Sequence, residues 1–400
     1  MLHRNRLDPA ELKGHASERS YGTRGEMSKG KAVFISAFHD YRTAKRASIH
    51  QIAHALACNG YDVSFLSTRF SRLSRAKADS RLPLWNRANR LEKVDGIGCY
   101  LWRTQLHPFA TGNRFADRLM GPLFRLYARL PSREVDELLA GADYVVVEAS
   151  VASILLRRIR RLNPDARIIY YATDRLETVG AHPYVQQRLA QDAGLIHHVS
   201  MRSWLMAPDF PWASDRLTRI GFGIDSRDFA SIGPSPYPEG SRNAISVGSM
   251  LFDESFFHSA AAAFPDVTFH VIGCGRRFSA AANVVVHDEM PFRETLPYIA
   301  HATIGVAPYL DAPGVEYLSE TSLKLAQFEY FGVPAVCPDF AVGNIASRSA
   351  YRPGSPASIE QAIGQALAAV GTVRPRSFPR WEEVGERLLH PERYSDTKER

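Results

Sequence analysis

Two doubly wound α/β domains, joined by a proline- and glycine-rich stretch, are the fold class that this sequence predicts. Three observations lead to it. At 400 residues the chain is too long for one ordinary core and long enough for two. Short apolar runs alternate with helix-period patterns through most of it, the signature of parallel βαβ units. That alternation breaks at residues 232–243 and then starts afresh.

The first half supplies its strands in order. Lys31–Ser36, 63–66, Tyr144–Glu148 and 167–171 are apolar runs of strand length, and 195–199 is a weaker one. Between the first two, residues 46–59 carry apolar side chains at helical spacing and stop at Gly60. The join reads IGPSPYPEGSRN, with Gly233, Pro234, Pro236, Pro238 and Gly240 crowded together. Strands are then expected at 244–247, Val267–Ile272, 284–286, 304–307 and 334–336, and a terminal helix at Trp381–Leu389. The expected organisation is a disordered tail at 1–29, a first Rossmann-like domain at 30–218, a second at 219–377, and a helix and tail at 378–400 that pack back on the first domain.

Composition excludes several classes. Cys58, Cys99, Cys274 and Cys337 lie far apart with no C-x-x-C pair, so neither a zinc site nor a disulfide framework is expected. No apolar run reaches the ~18 residues of a membrane-spanning helix, and the polar start lacks a signal-peptide core. The net charge of +7 is uneven: residues 1–200 hold 31 Lys and Arg against 19 Asp and Glu, and the second half 18 against 23. Such asymmetry points the first half towards an anionic partner.

The residues that carry chemistry lie mostly in the second half. Val247-Gly248-Ser249-Met250 follows a strand, where small residues let a phosphate or ribose approach the backbone. Ile272-Gly273-Cys274-Gly275 repeats the device with two glycines. Alone, each is a tight turn. Their order says more: IGFGID at 220–225 with Asp228-Phe229, then VGSM, VIGCG, HDEMPF at 287–292, APY at 307–309, and Ser322-Leu323-Lys324 with Gln327 before Phe331-Gly332-Val333-Pro334. This order resembles the donor domain of GT-B glycosyltransferases, in which a lysine on the helix before a G-x-P turn meets the diphosphate. No D-x-D motif occurs, so a metal-bridged diphosphate is not implied, and neither metal nor other cofactor is expected.

ISVGSMLFD, the Glu289-Met290 pair, VAPY, SLKLAQFEYFGVPAVCP and the Asp174 loop together resemble the GumK family, membrane-associated glucuronosyltransferases of xanthan-type exopolysaccharide assembly. The resemblance spans most of residues 31–370. It implies inverting transfer of glucuronate from UDP-glucuronate to a polyprenyl-diphosphate-linked oligosaccharide, by a peripheral enzyme at the cytoplasmic face of the inner membrane. It also implies that Glu289, Met290, Tyr309, Leu323, Lys324 and Gln327 contact the donor nucleotide, with Gly248, Ser249 and Met250 beside the diphosphate. Leu323 stands where the family pattern leads one to expect methionine.

An inverting transfer needs a carboxylate to take the acceptor's proton. Asp174 leaves a strand at its C-terminal end, and on residues alone it reads as a turn or cap aspartate. The resemblance makes it the base, with Glu148 and Asp253 as rivals. Arg42, Arg46 and Lys324 are unranked candidates for the glucuronate carboxylate, and the loop His39-Asp40-Tyr41-Arg42 is expected to face the cleft. Two basic, apolar-rich segments, 69–90 and 114–130, suit an anionic membrane surface, although an apolar helix face is more often core. Nucleic acid is not an expected partner, because no binding motif accompanies the charge. A GT-B enzyme using another nucleotide sugar, a sugar-nucleotide epimerase of the same architecture and a non-catalytic binding protein are the alternatives.

Overall fold

The computed structural model describes residues 28–44, 46–76, 79–224, 229, 232–278 and 281–398. Nearly all of the tail expected at 1–29 lies outside them, as do Asp225 and Asp228. The chain forms two sheets. The first contains β1 (Lys31–Ser36), β2 (Asp62–Phe70), β3 (Leu91–Val94), β4 (Ile97–Arg103), β5 (Tyr144–Glu148), β6 (Arg167–Ala172), β7 (His198–Met201) and β8 (Leu217–Arg219). Its order is β3-β4-β2-β1-β5-β6-β7-β8, parallel except for the β3–β4 pair. The second contains β9 (Arg242–Val247), β10 (Val267–Ile272), β11 (Val284–His287), β12 (Ile304–Val306), β13 (Ala335–Pro338) and β14 (Arg348–Tyr351) in the order β11-β10-β9-β12-β13-β14, all parallel.

Burial explains why the strands form where they do. Val145, Val146 and Val147 of β5, and Ile168, Ile169 and Tyr170 of β6, are wholly buried, so both faces of the sheet are covered. The pattern of the β3–β4 hairpin was not legible as a strand pair: Leu91 is exposed, and the turn is carried by Asp95 and Gly96 with positive φ. The helix Trp381–Leu389 forms as expected, and Val384, Leu388 and Leu389 pack into the core beneath β1 and β2. Contacts with the helix Ser48–Cys58 place this last helix on the first sheet rather than the second.

Each sheet reverses its winding once. The first turns between β1 and β5, and the second between β9 and β12. In open α/β sheets such switch points leave a crevice beyond the strands' C-terminal ends, where ligands bind.

Candidate active site

The switch point of the second sheet gathers most of the residues expected at the donor. Gly248 follows β9 with φ of 95°, a conformation that side chains resist, and its N–H is bonded to Ile272 O at 2.9 Å. Ser249 lies against Gly275, whose added Cβ would meet the Ser249 Cβ at 3.4 Å, and Gly273 packs near the Glu289 backbone in the same way at 3.7 Å. Three loops therefore converge, those after β9, β10 and β11. Met250 is exposed and Glu289 points to solvent, while Met290 is half-buried.

Tyr309, just beyond β12, is buried and shares a 2.6 Å hydrogen bond with Ser322. Ser322 also caps the helix Leu323–Phe331, accepting from Leu325 N at 3.1 Å, so one hydroxyl fixes both the tyrosine and the helix start. From that helix Lys324 Nζ donates to Ser246 at 3.3 Å and lies 5.2 Å from the centre of the Tyr309 ring. Burial lowers its pKa to about 7, because a desolvated ammonium is disfavoured when no anion is present. Leu323 and Gln327 occupy a different face. They line an interdomain pocket with Arg46, Gln51, Phe222 and Trp381, so the structure divides the expected donor set between two walls of the cleft.

The first sheet presents acids. Glu148 ends β5, is 4% exposed, is hydrogen-bonded to the Ser36 hydroxyl at the end of β1, and has His39 Nε2 3.8 Å from its Oε1. Burial pushes its pKa up to about 8, the Ser36 bond opposes this, and the charge of Asp174 adds to it. Glu148 is thus largely a neutral acid near pH 7. Asp174 stands two residues past β6 and accepts a hydrogen bond from Tyr317 OH at 3.1 Å, a contact from the second half of the chain. Burial raises its pKa as well, against the Tyr317 and Thr173 hydrogen bonds and the positive charge of Arg202.

Other sequence candidates are committed elsewhere. Asp253 accepts from Ser255 N at 2.9 Å and Ser255 Oγ at 2.6 Å, just ahead of the helix Ser255–Ala263. Arg42 is buried between Asp40, at 2.8 Å, and Glu92, at 2.7 Å, so its charge is already balanced. The segment 69–90 is a correction to the membrane reading. Phe70, Leu84 and Ala88 form a local core with Leu101, and Arg75 and Arg103 cover Trp85 at 4.0 and 4.8 Å. Sequence reasoning missed Tyr317, which lies 143 residues from Asp174 and carries no motif, and Arg202, whose only signal is a charge at a strand's C-terminal end. Among the described residues, no three His, Cys, Asp or Glu side chains are grouped to hold a metal ion.

Two largely parallel sheets with facing switch points, a carboxylate on one and a lysine above a glycine-lined crevice on the other, have the architecture of the GT-B class. The glycosyltransferase of kitacinnamycin has this fold, with a TM-score of 0.50 and 16% identity over 92% of this chain and 94% of that one. So does a Listeria monocytogenes protein described as a UDP-N-acetylglucosamine 2-epimerase, with a TM-score of 0.52 and 10% identity over 93% and 99%. Fold alone therefore does not separate transferase from epimerase. Sequence does. Residues 34–202 match the family described as glucuronosyltransferase GumK, N-terminal domain. The UDP-glucuronate:glycolipid 2-beta-glucuronosyltransferase of Xanthomonas campestris pv. campestris is 40% identical over 366 residues, 91% of this chain and 90% of that protein. The chain belongs to the GumK glucuronosyltransferase family.

Proposed function

We propose that the protein transfers glucuronate from UDP-glucuronate, with inversion and without a bound metal, to a polyprenyl-diphosphate-linked oligosaccharide. The observation that carries this reading is the Tyr317–Asp174 hydrogen bond, which puts a carboxylate of the first sheet against the second half of the chain. Asp174 takes the acceptor hydroxyl's proton while that oxygen bonds to the anomeric carbon. The bond from that carbon to the diphosphate oxygen breaks, and its electron pair leaves with UDP. Lys324 and the amino end of the helix Leu323–Phe331 meet the leaving charge. Gly248, Ser249 and Met250 flank the diphosphate, and Glu289, Met290, Tyr309, Leu323 and Gln327 complete the nucleotide site.

Arg46 is the best placed of the three cations for the uronate carboxylate. Arg42 is neutralised and Lys324 is turned to Ser246, whereas Arg46 lines the pocket beside Leu323 and Gln327. Incubating the protein in chelator with UDP-glucuronate and a glycolipid extract tests the whole reading. UDP release that depends on the extract, with a β-linked glucuronate in the product, is expected. UDP release that requires a divalent cation, or preference for an uncharged UDP-sugar, counts against it.

We also infer peripheral attachment at the cytoplasmic face of the inner membrane. No described helix is long and apolar enough to cross a membrane. The helix Arg114–Ala128 instead leaves Phe115 and Leu119 80% exposed and Leu126 55% exposed along one side, with Arg125 and Arg129 exposed beside them. Apolar side chains rimmed by cations suit an interfacial helix. Binding to anionic vesicles that weakens with salt is expected, and equal binding to neutral vesicles would reject the inference.

A further inference from the structure

Six arginines from the first half of the chain line one cavity of about 440 Å³. Arg125 belongs to the helix Arg114–Ala128, and Arg129 follows it directly. Arg157, Arg158 and Arg161 belong to the helix Leu156–Leu162, and Arg188 to the helix Pro183–Gln191. The rings of Phe124 and Tyr184, 5.4 Å apart, also line the cavity, and among the described residues no acidic side chain does. Its walls are fastened together. Arg158 is 5% exposed and donates to Leu130 O at 2.6 Å and to Asp136 at 2.7 Å, which ties the end of the first helix to the second. Asp192 accepts from Arg157 at 2.7 Å and from Arg188 at 2.6 Å, which ties the second helix to the third.

These bonds use only part of the charge. Asp136 and Asp192 offset two of the six cations, and among the described residues Arg125, Arg129 and Arg161 make no ion pair. All three are exposed. Arginines on a convex face spread into water and need no partner. Here they line a concavity with fixed walls, so their mutual repulsion is relieved best by an anion between them. The guanidinium fork fits the oxygens of a phosphate two at a time. The helix Arg114–Ala128 also carries an apolar stripe, with Phe115 and Leu119 80% exposed and Leu126 55% exposed. Arg125 stands about 100° round the helix from Leu126, so the cavity flanks that stripe.

We propose that this cavity is a binding site for the phosphate of an anionic phospholipid headgroup, occupied while the stripe beside it enters the acyl boundary. The proposal rests on the peripheral attachment inferred above and adds a fixed site to it. A soluble phosphate would use the arginines alone. A membrane lipid presents its phosphate and its chains across one boundary, and so accounts for the cations and the apolar stripe together. All six cations are arginine and none is lysine, which suits a forked contact rather than a diffuse charge. The helix Pro183–Gln191 is the next helix after Asp174. A headgroup held against its Arg188 would therefore fix the end of the first sheet that carries Asp174 relative to the membrane.

The test measures binding of the full chain to phosphatidylcholine vesicles with and without phosphatidylglycerol. The parent protein should bind tightly only when phosphatidylglycerol is present. The triple variant Arg125→Gln, Arg129→Gln, Arg161→Gln should bind those vesicles about 100-fold more weakly. Its UDP affinity by calorimetry should be unchanged, which checks the fold. Loss of charge alone would weaken binding in the same way, so the variant Arg125→Lys, Arg129→Lys, Arg161→Lys decides. It keeps three charges and loses three forks, and its binding should fall about 5- to 10-fold. A lysine variant that binds like the parent protein makes the arginines a diffuse charge and overturns the proposal, while the attachment stands. Should the glutamine variant misfold, the lysine variant settles the matter alone. A parent protein that binds neither vesicle overturns the site and the attachment together. Calorimetry with inorganic phosphate separates the sources: no binding tighter than about 1 mM is expected. Micromolar binding without lipid would give the cavity to a soluble phosphate and overturn the lipid assignment.

Discussion

The two switch points face the same substrates with opposite chemistry. At the first, Glu148 and Asp174 are acids that burial drives towards neutrality. At the second, Lys324 is a base that burial also drives towards neutrality. One rule acts on both: a desolvated group resists its charge. The consequences differ because the neighbours differ. Tyr317, Thr173 and Arg202 favour the Asp174 anion, whereas Ser36 opposes the effect of burial on Glu148, whose Oε1 lies 3.8 Å from His39 Nε2. Among the described residues Lys324 has serine and tyrosine around it and no ion-pair partner, which leaves its charge to an incoming anion. The two carboxylates at one edge thus meet unequal surroundings, and the proposed role of base falls to Asp174. The lysine at the other edge suits the proposed role of meeting the diphosphate.

The largest expected effect tests the role given to Asp174. Asp174→Asn should lower turnover by about 10² to 10⁴, the usual worth of a general base. UDP affinity measured by calorimetry should stay nearly unchanged. Near-normal turnover together with an inactive Glu148→Gln would transfer the base to Glu148.

Lys324→Met sharpens the other side. A hydrogen bond to a charged group is worth about 1.5 to 3 kcal/mol, so UDP should bind roughly 10- to 100-fold more weakly. Binding that is unaffected would remove Lys324 from the diphosphate. The same lysine predicts a proton linkage. Because its pKa in the free protein is about 7, UDP binding above that pH must take up a proton. Affinity should then fall by up to about tenfold per pH unit. Calorimetry in buffers of different ionisation enthalpy would report the uptake, and its absence at pH 8 would count against a neutral Lys324.

The smallest effect concerns stability. Glu148 titrates near 4.5 when unfolded and about 8 when folded. A folded pKa raised in this way gives stability that is fully present below about pH 4.5 and is lost as pH rises through about 8. Glu148→Gln removes that dependence. Its melting temperature should therefore gain on the parent protein between pH 5 and 9, while turnover at pH 7 stays close to normal. A variant that loses ground as the pH rises would mean that Glu148 is ionised in the folded protein.

The sheets were legible because burial on both faces demands continuous apolar runs, and YVVVE and VTFHVI are such runs. The strands β3, β8 and β14 were not, since they are short and half polar. The order of the donor loops was readable from SVGSM to SLKLAQ, because each small-residue turn follows its strand directly. What those turns do to one another, as when Gly275 lies on Ser249, was not. The basic segment 69–90 shows the limit most plainly. Its alternation of arginine and apolar residues fits a membrane face and a small core equally well, and only the packing of Phe70 and Leu84 chose the core.

The sequence by itself determined two parallel sheets, the order of the donor loops, the position of Asp174 at a strand end and the family resemblance. These are local patterns, set by periodicity and by turns of a few residues. Tertiary structure alone decided that Arg42 is neutralised and that Asp253 is engaged by Ser255, while Tyr317 reaches Asp174. The physical reason is that a side chain's charge and reactivity depend on how much water it keeps and which groups replace the rest. Those groups come from segments far apart in the chain, and no local pattern records which of them will meet.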